Sequence, residues 1–67
     1  MQQKKKEEEK KRFVRYKEGA RLYSMSLPKF IQVAKDAGAT YKLNKLVLVN
    51  LDVFEKYLET FRLPPEL

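Results

Sequence analysis

The 67-residue sequence contains neither cysteine nor histidine, and it has only two glycines. Without cysteine the chain can form no disulfide bond and no thiolate metal site. Without histidine it also lacks the commonest general base and the commonest zinc ligand. Two glycines are too few for the glycine-rich loop that holds phosphates in many nucleotide-binding proteins. These absences predict a protein that is not an enzyme and has no cofactor or metal ion.

Long apolar runs are missing as well. No stretch approaches the roughly 20 apolar residues that span a bilayer, and no apolar segment of the signal-peptide type follows the basic N-terminus. These features predict a cytoplasmic protein that does not enter a membrane. A chain of this length forms at most one small domain, and such a domain buries only about 60% of its unfolded surface.

Positive charge predominates, and it is unevenly distributed. The net charge is +6, made up of +3 in residues 1–12, +5 in residues 13–45 and −2 in residues 46–67. A fold that keeps this separation has a basic end and a mildly acidic end, as expected of a protein that contacts a polyanion on one side. A soluble basic protein without such a partner has the same composition, so charge alone leaves both interpretations open.

The two ends of the chain differ from its middle. Residues 1–12 (MQQKKKEEEKKR) contain no apolar residue after Met1, and a helix without a buried face is marginal in water. They are therefore predicted to form a flexible charged extension; a basic arm on DNA is the alternative, which the interspersed glutamates disfavour. Residues 63–67 (LPPEL) are predicted to form a Pro-rich, non-helical tail. The domain is then expected to comprise residues 13–62.

Two short helices joined by a tight turn are predicted upstream of Gly38. The first covers residues 17–23. The second begins after Ser26, whose hydroxyl can accept a hydrogen bond from a free backbone N–H of the first turn, and it has Pro28 in that turn, where a missing N–H costs little. Gly38 tolerates the positive φ that commonly follows a helix. This arrangement is typical of a helix-turn-helix, which indicates DNA binding in a basic chain, although many helical hairpins bind nothing.

The second helix is predicted to be amphipathic. The i, i+3, i+4, i+7 spacing that marks a buried face is occupied by Phe30, Val33, Ala34 and Ala37. The opposite face carries Pro28, Ile31, Gln32 and Lys35, with Lys29 beside it. On DNA the lysines would contact phosphates or guanine edges, and Gln32 would contact adenine. The alternative is an ordinary surface helix with one exposed isoleucine.

A β-hairpin and a last helix are predicted downstream. Strands are expected near residues 40–43 and 46–49, joined at Asn44-Lys45, because asparagine tolerates the left-handed turn conformation. Lys42 and Lys45 suit a tip that contacts DNA backbone or minor groove, or simply a soluble tip on a covering hairpin. The last helix is expected at residues 52–61, capped by Asn50 or Asp52. Its apolar stripe is predicted to join the core and consists of Leu51, Phe54, Leu58 and Phe61, with Tyr57 beside it.

The order helix, turn, helix, hairpin, helix resembles the small winged helix-turn-helix domains of phage and transposon excisionases and of MerR-type regulators. The likeness covers about residues 16–61, and more narrowly it extends to short excisionase-like proteins of Firmicutes mobile elements. It rests on Glu18-x-Ala20, Met25-Ser26, Phe30, Tyr41-Lys42-Leu43, Asp52-x-Phe54 and Tyr57-Leu58. One departure is Ser24, which stands where the family commonly has glycine before the turn.

The resemblance implies an α+β fold made of a helix-turn-helix, a two-stranded β-hairpin wing and a C-terminal helix. It also implies double-stranded DNA as partner, with the second helix in the major groove, and a role in excision or transcriptional control alongside a recombinase or further copies of the chain. Contacts with DNA would fall on Ser26, Pro28, Lys29, Gln32, Lys35, Lys42, Asn44 and Lys45. A second hypothesis is a winged-helix protein-interaction module that binds a recombinase or itself through Ile31 and the apolar residues 46–49.

Overall fold

The computed structural model describes residues 12–65, which form three helices and three strands. In chain order these are β1 (Phe13–Val14), α1 (Tyr16–Leu22), α2 (Leu27–Asp36), β2 (Thr40–Leu43), β3 (Leu46–Asn50) and α3 (Leu51–Glu59). The strands form one antiparallel sheet in the order β1-β3-β2. The chain is therefore a small α+β domain. The predicted charged extension, apart from Arg12, and the last two residues of the predicted tail lie outside the described residues.

The predicted two-stranded hairpin is part of a three-stranded sheet. The hairpin itself has the expected position, with Leu43 paired to Leu46 across the turn. The additional strand is β1, whose Val14 pairs with Val49 of β3. The backbone N–H of Leu51 extends this pairing by donating to the carbonyl oxygen of Arg12 at 2.8 Å. A strand of two residues is too short to show any periodicity, and its partner is remote in sequence, so local patterns do not reveal it.

Local chemistry sets both ends of α2, as the sequence predicted, and the start of α3. The Ser26 hydroxyl accepts a hydrogen bond from the backbone N–H of Lys29 at 3.3 Å and caps α2. Asn50, rather than Asp52, caps α3, because its side-chain oxygen accepts from the backbone N–H groups of Asp52 and Val53. Gly38 follows α2 with φ of +69°, in the left-handed region that favours glycine.

The turn between α1 and α2 contains Ser24, which also adopts a left-handed backbone, with φ of +55°. Glycine adopts this conformation without a steric cost, whereas serine does not. The next residue, Met25, is held by a hydrogen bond from its backbone N–H to the carbonyl oxygen of Ala20 at 2.9 Å. Met25 is half-buried and packs against the core.

Three aromatic rings form the centre of the core. Phe30 of α2 and Phe54 of α3 are fully buried with ring centroids 4.8 Å apart. Tyr23 covers them, with its ring centroid 4.8 Å from that of Phe54 and 6.1 Å from that of Phe30. Val49 of β3 is also fully buried and belongs to the same cluster. The core therefore joins all three helices to the sheet.

Phe61 was predicted in the core, but it is 61% exposed. The helix that would carry it onto the apolar stripe ends at Glu59. The chain then turns, with the backbone N–H of Phe61 donating to the carbonyl oxygen of Leu58 at 3.0 Å. The Phe61 ring lies edge-on to Tyr57, at 5.1 Å between centroids. The early helix end explains why the stripe predicted from spacing is one residue too long.

Gly19 allows α1 to lie directly on α2. A Cβ atom built at Gly19 would lie under 3.0 Å from three ring atoms of Phe30, closer than real Cβ contacts. The neighbouring Ala20 is also small and buried. The tightest approach, however, is at Gly19, which is consistent with a packing role for a glycine inside a helix.

A cluster of polar side chains joins the start of the described chain to α3; it consists of Arg12, Tyr23 and Glu55. An Arg12 guanidinium nitrogen donates to Oε2 of Glu55 at 2.8 Å, and the Tyr23 hydroxyl donates to the same oxygen. Arg12 Nε also lies 3.5 Å from Oδ1 of Asp52. Burial, followed by the hydrogen bond to Glu55, raises the pKa of Tyr23 to about 12. The hydrogen bonds from Tyr23 and then from Arg12 lower the pKa of Glu55.

The lowered pKa of Glu55 predicts acid sensitivity. A carboxylate with a lower pKa in the folded state stabilises the fold above its ordinary pKa of about 4.3, and this stabilisation is lost as pH falls through the folded value. We expect the free energy of unfolding, measured by urea titration, to fall more steeply between about pH 5 and pH 3 for wild type than for Glu55→Gln. Glu59→Gln, which removes only the exposed pair with Arg62, is expected to follow wild type. Equal steepness in wild type and Glu55→Gln would contradict the assignment.

A candidate nucleic-acid interface

All eight side chains predicted to contact DNA are exposed in the structure. They fall into two groups, one at the start and outer face of α2 and one on the hairpin. The α2 group consists of Ser26, Pro28, Lys29, Gln32 and Lys35, and the hairpin group consists of Lys42, Asn44 and Lys45. Contact with DNA requires side chains that are exposed to solvent, and both groups meet this requirement. The contact itself stays a prediction.

The α2 group forms one continuous surface because of helix geometry. Pro28, Gln32 and Lys35 follow each other at spacings of four and three residues, so they lie on one face, opposite the buried side chain of Ala34. Lys29 lies beside this stripe. The oxygen of Ser26 is used in the helix cap, but its hydroxyl hydrogen can still donate to an acceptor such as a phosphate oxygen. The surface therefore offers two ammonium groups, one amide and one hydroxyl.

The hairpin group is positioned by the strand register. Asn44 occupies the turn with φ of +58°, the left-handed conformation that the sequence predicted it to tolerate. Lys42 lies directly opposite Val47, and residues directly opposite one another in an antiparallel pair project from the same face of the sheet. Lys42 therefore shares the face of Val47, and this face looks onto α1.

An open groove of about 830 Å³ lies between α1 and the hairpin. Its basic lining comes from Arg15, Lys17 and Arg21 on one side and Lys45 on the other; we call these four residues the groove cations. Glu18 contributes one carboxylate to the lining, so the groove carries a net charge of +3. Tyr16 and Val47 complete its walls. The hairpin group thus meets α1, through Lys45, in a concave basic surface.

Three of the groove cations were not among the predicted site residues. Arg15, Lys17 and Arg21 counted toward the +5 charge of residues 13–45, but nothing in the sequence placed them beside the hairpin. One local indication was available: Lys17 and Arg21 are four residues apart in a short helix and therefore lie on the same face. Their meeting with Lys45 depends on the tertiary packing of α1 against β3, which spacing alone does not predict.

The ion pairs of the described residues divide the surface into a neutralised part and an unneutralised part. The carboxylates of α3 are paired, Asp52 and Glu55 with Arg12 and Glu59 with Arg62. Within residues 12–65, no carboxylate lies within 4.0 Å of any basic side chain of the groove or of the α2 and hairpin groups. The positive charge of these elements is therefore not neutralised by ion pairs within residues 12–65.

The described residues contain neither a cluster of three acidic side chains that could hold a metal ion nor a helix long and apolar enough to cross a membrane. A model of a protein family, described as a family of unknown function (DUF6462), matches residues 11–61. This match covers most of the 67 residues, and the chain therefore belongs to that family. Neither a curated protein nor a solved structure matches the chain.

Proposed function

We propose that this protein is a small winged helix-turn-helix domain that binds double-stranded DNA without catalysis. In this proposal α1 and α2 form the helix-turn-helix, the β2–β3 hairpin is the wing, and the α2 group enters the major groove. By its resemblance to excisionases and MerR-type regulators, the protein acts as an accessory factor in excision or as a small transcriptional regulator of a mobile element.

The observation that carries this proposal is the charge separation on the folded chain. The basic side chains of α1, α2 and the hairpin lack carboxylate partners among the described residues, whereas the carboxylates of α3 are paired. Unneutralised cations on three elements of one small domain favour a polyanionic partner. An exposed amide, Gln32, between two lysines adds the hydrogen-bonding groups that base recognition needs.

We expect Lys29→Ala and Lys35→Ala each to weaken binding to duplex DNA by about three- to tenfold, because each removes a contact to phosphate or to a base edge. The measurement is fluorescence anisotropy with a duplex enriched from a random pool, at fixed salt concentration. Lys56→Ala is the matched control, since Lys56 is an exposed lysine on the acidic helix α3. We expect it to bind as wild type does.

Three results would contradict the proposal. Equal effects of the three substitutions would remove the orientation in which α2 faces the DNA. Failure of wild type to bind any duplex at low salt would remove DNA binding itself. A binding constant that does not change with salt concentration would also contradict it, because phosphate contacts release counterions and make binding salt-dependent.

A second candidate function is a protein-interaction module, and the outer face of the sheet favours it. Phe13, Tyr41 and Leu43 lie on this face and are 48%, 46% and 58% exposed, with the Phe13 and Tyr41 rings in edge-on contact at 5.5 Å. Contiguous exposed apolar side chains often mark a protein contact. A wild-type chain that binds no duplex but sediments as an oligomer, or binds a recombinase, would favour this function over DNA binding.

The apolar surface differs from the one that the sequence predicted. Residues 46–49 and Ile31 were expected to form it, but Val49 is fully buried and Val47 lines the basic groove. Strand alternation explains the difference, because successive residues of β3 point to opposite faces of the sheet. Only Leu46 and Leu48 of that run share the outer face with Tyr41 and Leu43, their cross-strand partners.

A further inference from the structure

We propose that the groove between α1 and the hairpin is a second DNA contact, which holds the sugar-phosphate backbone of one strand independently of base sequence. This inference rests on the proposed function and extends it to Arg15, Lys17 and Arg21, which lie outside the predicted site. The contact is made by the groove cations Arg15, Lys17, Arg21 and Lys45. The α2 group then provides sequence discrimination, and the groove provides affinity.

The groove carries positive charge that the described residues do not compensate. Four cations share one groove with the single carboxylate of Glu18, and none of the four has a carboxylate within 4.0 Å in the part of the chain that the structure describes. Like charges held close together oppose folding, and a concave surface concentrates their field. The packing of the described residues does nothing to relieve this repulsion, whereas a bound polyanion would.

Two of the groove cations, Arg15 and Arg21, contribute little to the stability of the fold. Arg15 precedes α1 and makes no side-chain capping hydrogen bond. Arg21 lies in the last turn of a seven-residue helix, where its charge is favourable but where the effect on stability is small. Both side chains are exposed. Their removal should therefore leave the fold intact, which makes the groove testable by substitution.

The chemistry of the groove cations and the open shape of the groove determine which kind of anion fits. Two guanidinium groups favour phosphate, which they can bind through two parallel hydrogen bonds, and two ammonium groups add unspecific positive charge. The groove is open, with Lys42 on the adjoining sheet face, so its basic surface continues beyond a single anion-binding pocket. A chain of phosphates matches this extended surface better than one isolated phosphate does. In a domain that binds a duplex through α2, the sugar-phosphate backbone of that duplex is such a chain.

The test compares Arg15→Gln/Arg21→Gln with Lys56→Gln, an exposed cation on α3 outside the groove. Binding is measured by fluorescence anisotropy at several salt concentrations, with the enriched duplex and with a scrambled duplex of the same length. We expect the double variant to bind both duplexes about tenfold more weakly and to reduce the slope of log Kd against log salt concentration by about 2, because two phosphate contacts are lost. The ratio of the two affinities, which reports sequence preference, should not change. Thermal unfolding followed by circular dichroism confirms that the variants fold.

The outcomes separate this inference from the proposed function. If wild type binds the enriched duplex selectively and the double variant keeps wild-type affinity and slope, the groove contact is overturned and the α2 interface stands. If the double variant loses sequence preference instead of overall affinity, the division of roles is overturned. If wild type binds single-stranded RNA or anionic lipid vesicles as tightly as any duplex at equal salt, the duplex backbone is the wrong partner. If wild type binds no polyanion, both proposals fail.

Discussion

Phe54→Ala is expected to destabilise the domain by about 3 to 5 kcal/mol, the usual cost of deleting a fully buried phenylalanine side chain. Phe54 has no exposed surface, and its ring contacts those of Phe30 and Tyr23, each with a centroid separation of 4.8 Å. The remaining core consists largely of small side chains, including Ala20, Ala34 and Ala39. Neighbouring side chains therefore cannot expand into the cavity.

A domain of this size rarely has more than about 3 to 5 kcal/mol of net stability. Phe54→Ala should consequently lose the cooperative unfolding transition in thermal melts followed by circular dichroism. The matched control is Phe61→Ala, because both residues were predicted on the same stripe but Phe61 is exposed. We expect Phe61→Ala to change the free energy of unfolding by less than about 1 kcal/mol. Similar losses in the two variants would show that Phe61 belongs to the core after all.

Gly19→Ala is expected to destabilise the domain by about 2 kcal/mol, although glycine-to-alanine replacement inside a helix normally stabilises it by about 1 kcal/mol. The sign reverses because the new Cβ would overlap the Phe30 ring, and forcing extra atoms into a packed core costs about 1 to 3 kcal/mol or more. For a domain of this size the change corresponds to a fall in Tm of about 10 °C. Thermal and urea unfolding measure it.

Two further variants test the cause of this loss. Phe30→Leu replaces the ring that the new methyl group would meet by a shorter side chain. The double variant Gly19→Ala/Phe30→Leu should therefore be about 1 kcal/mol more stable than the sum of the two single effects predicts. Gly38→Ala provides the contrast. Gly38 has φ of +69° and open space around a built Cβ, so its replacement should cost about 1 kcal/mol through the backbone alone. Phe30→Leu should not reduce that cost. Strict additivity for the Gly19 pair would exclude steric contact as the cause.

The proposed interface could be predicted from the sequence only where it lies within one element. The α2 group follows from helical spacing and from the cap at Ser26, so its members share an exposed face as expected. The groove could not be predicted in the same way. It needs α1 and the hairpin side by side, and the residues that meet there, Arg21 and Lys45, are distant in the chain and carry no pattern that links them.

The sequence by itself determined the features that depend on neighbouring residues. Ser26, Gly38 and Asn50 set helix ends through their own side chains or backbone freedom. Asn44 sets the hairpin turn, and the spacing of apolar residues placed Phe30 in the core. Each of these choices involves interactions within a few residues, which local chemistry specifies.

The tertiary structure decided the features that depend on packing between distant segments. It added β1 to the sheet, brought Gly19 against Phe30, removed Phe61 from the core and placed Arg15, Lys17 and Arg21 opposite Lys45. The physical reason is the same in each case. Periodicity shows which side of an element is apolar. Which elements become neighbours depends on the burial of all the apolar faces together, and this packing also determines which charges share a groove.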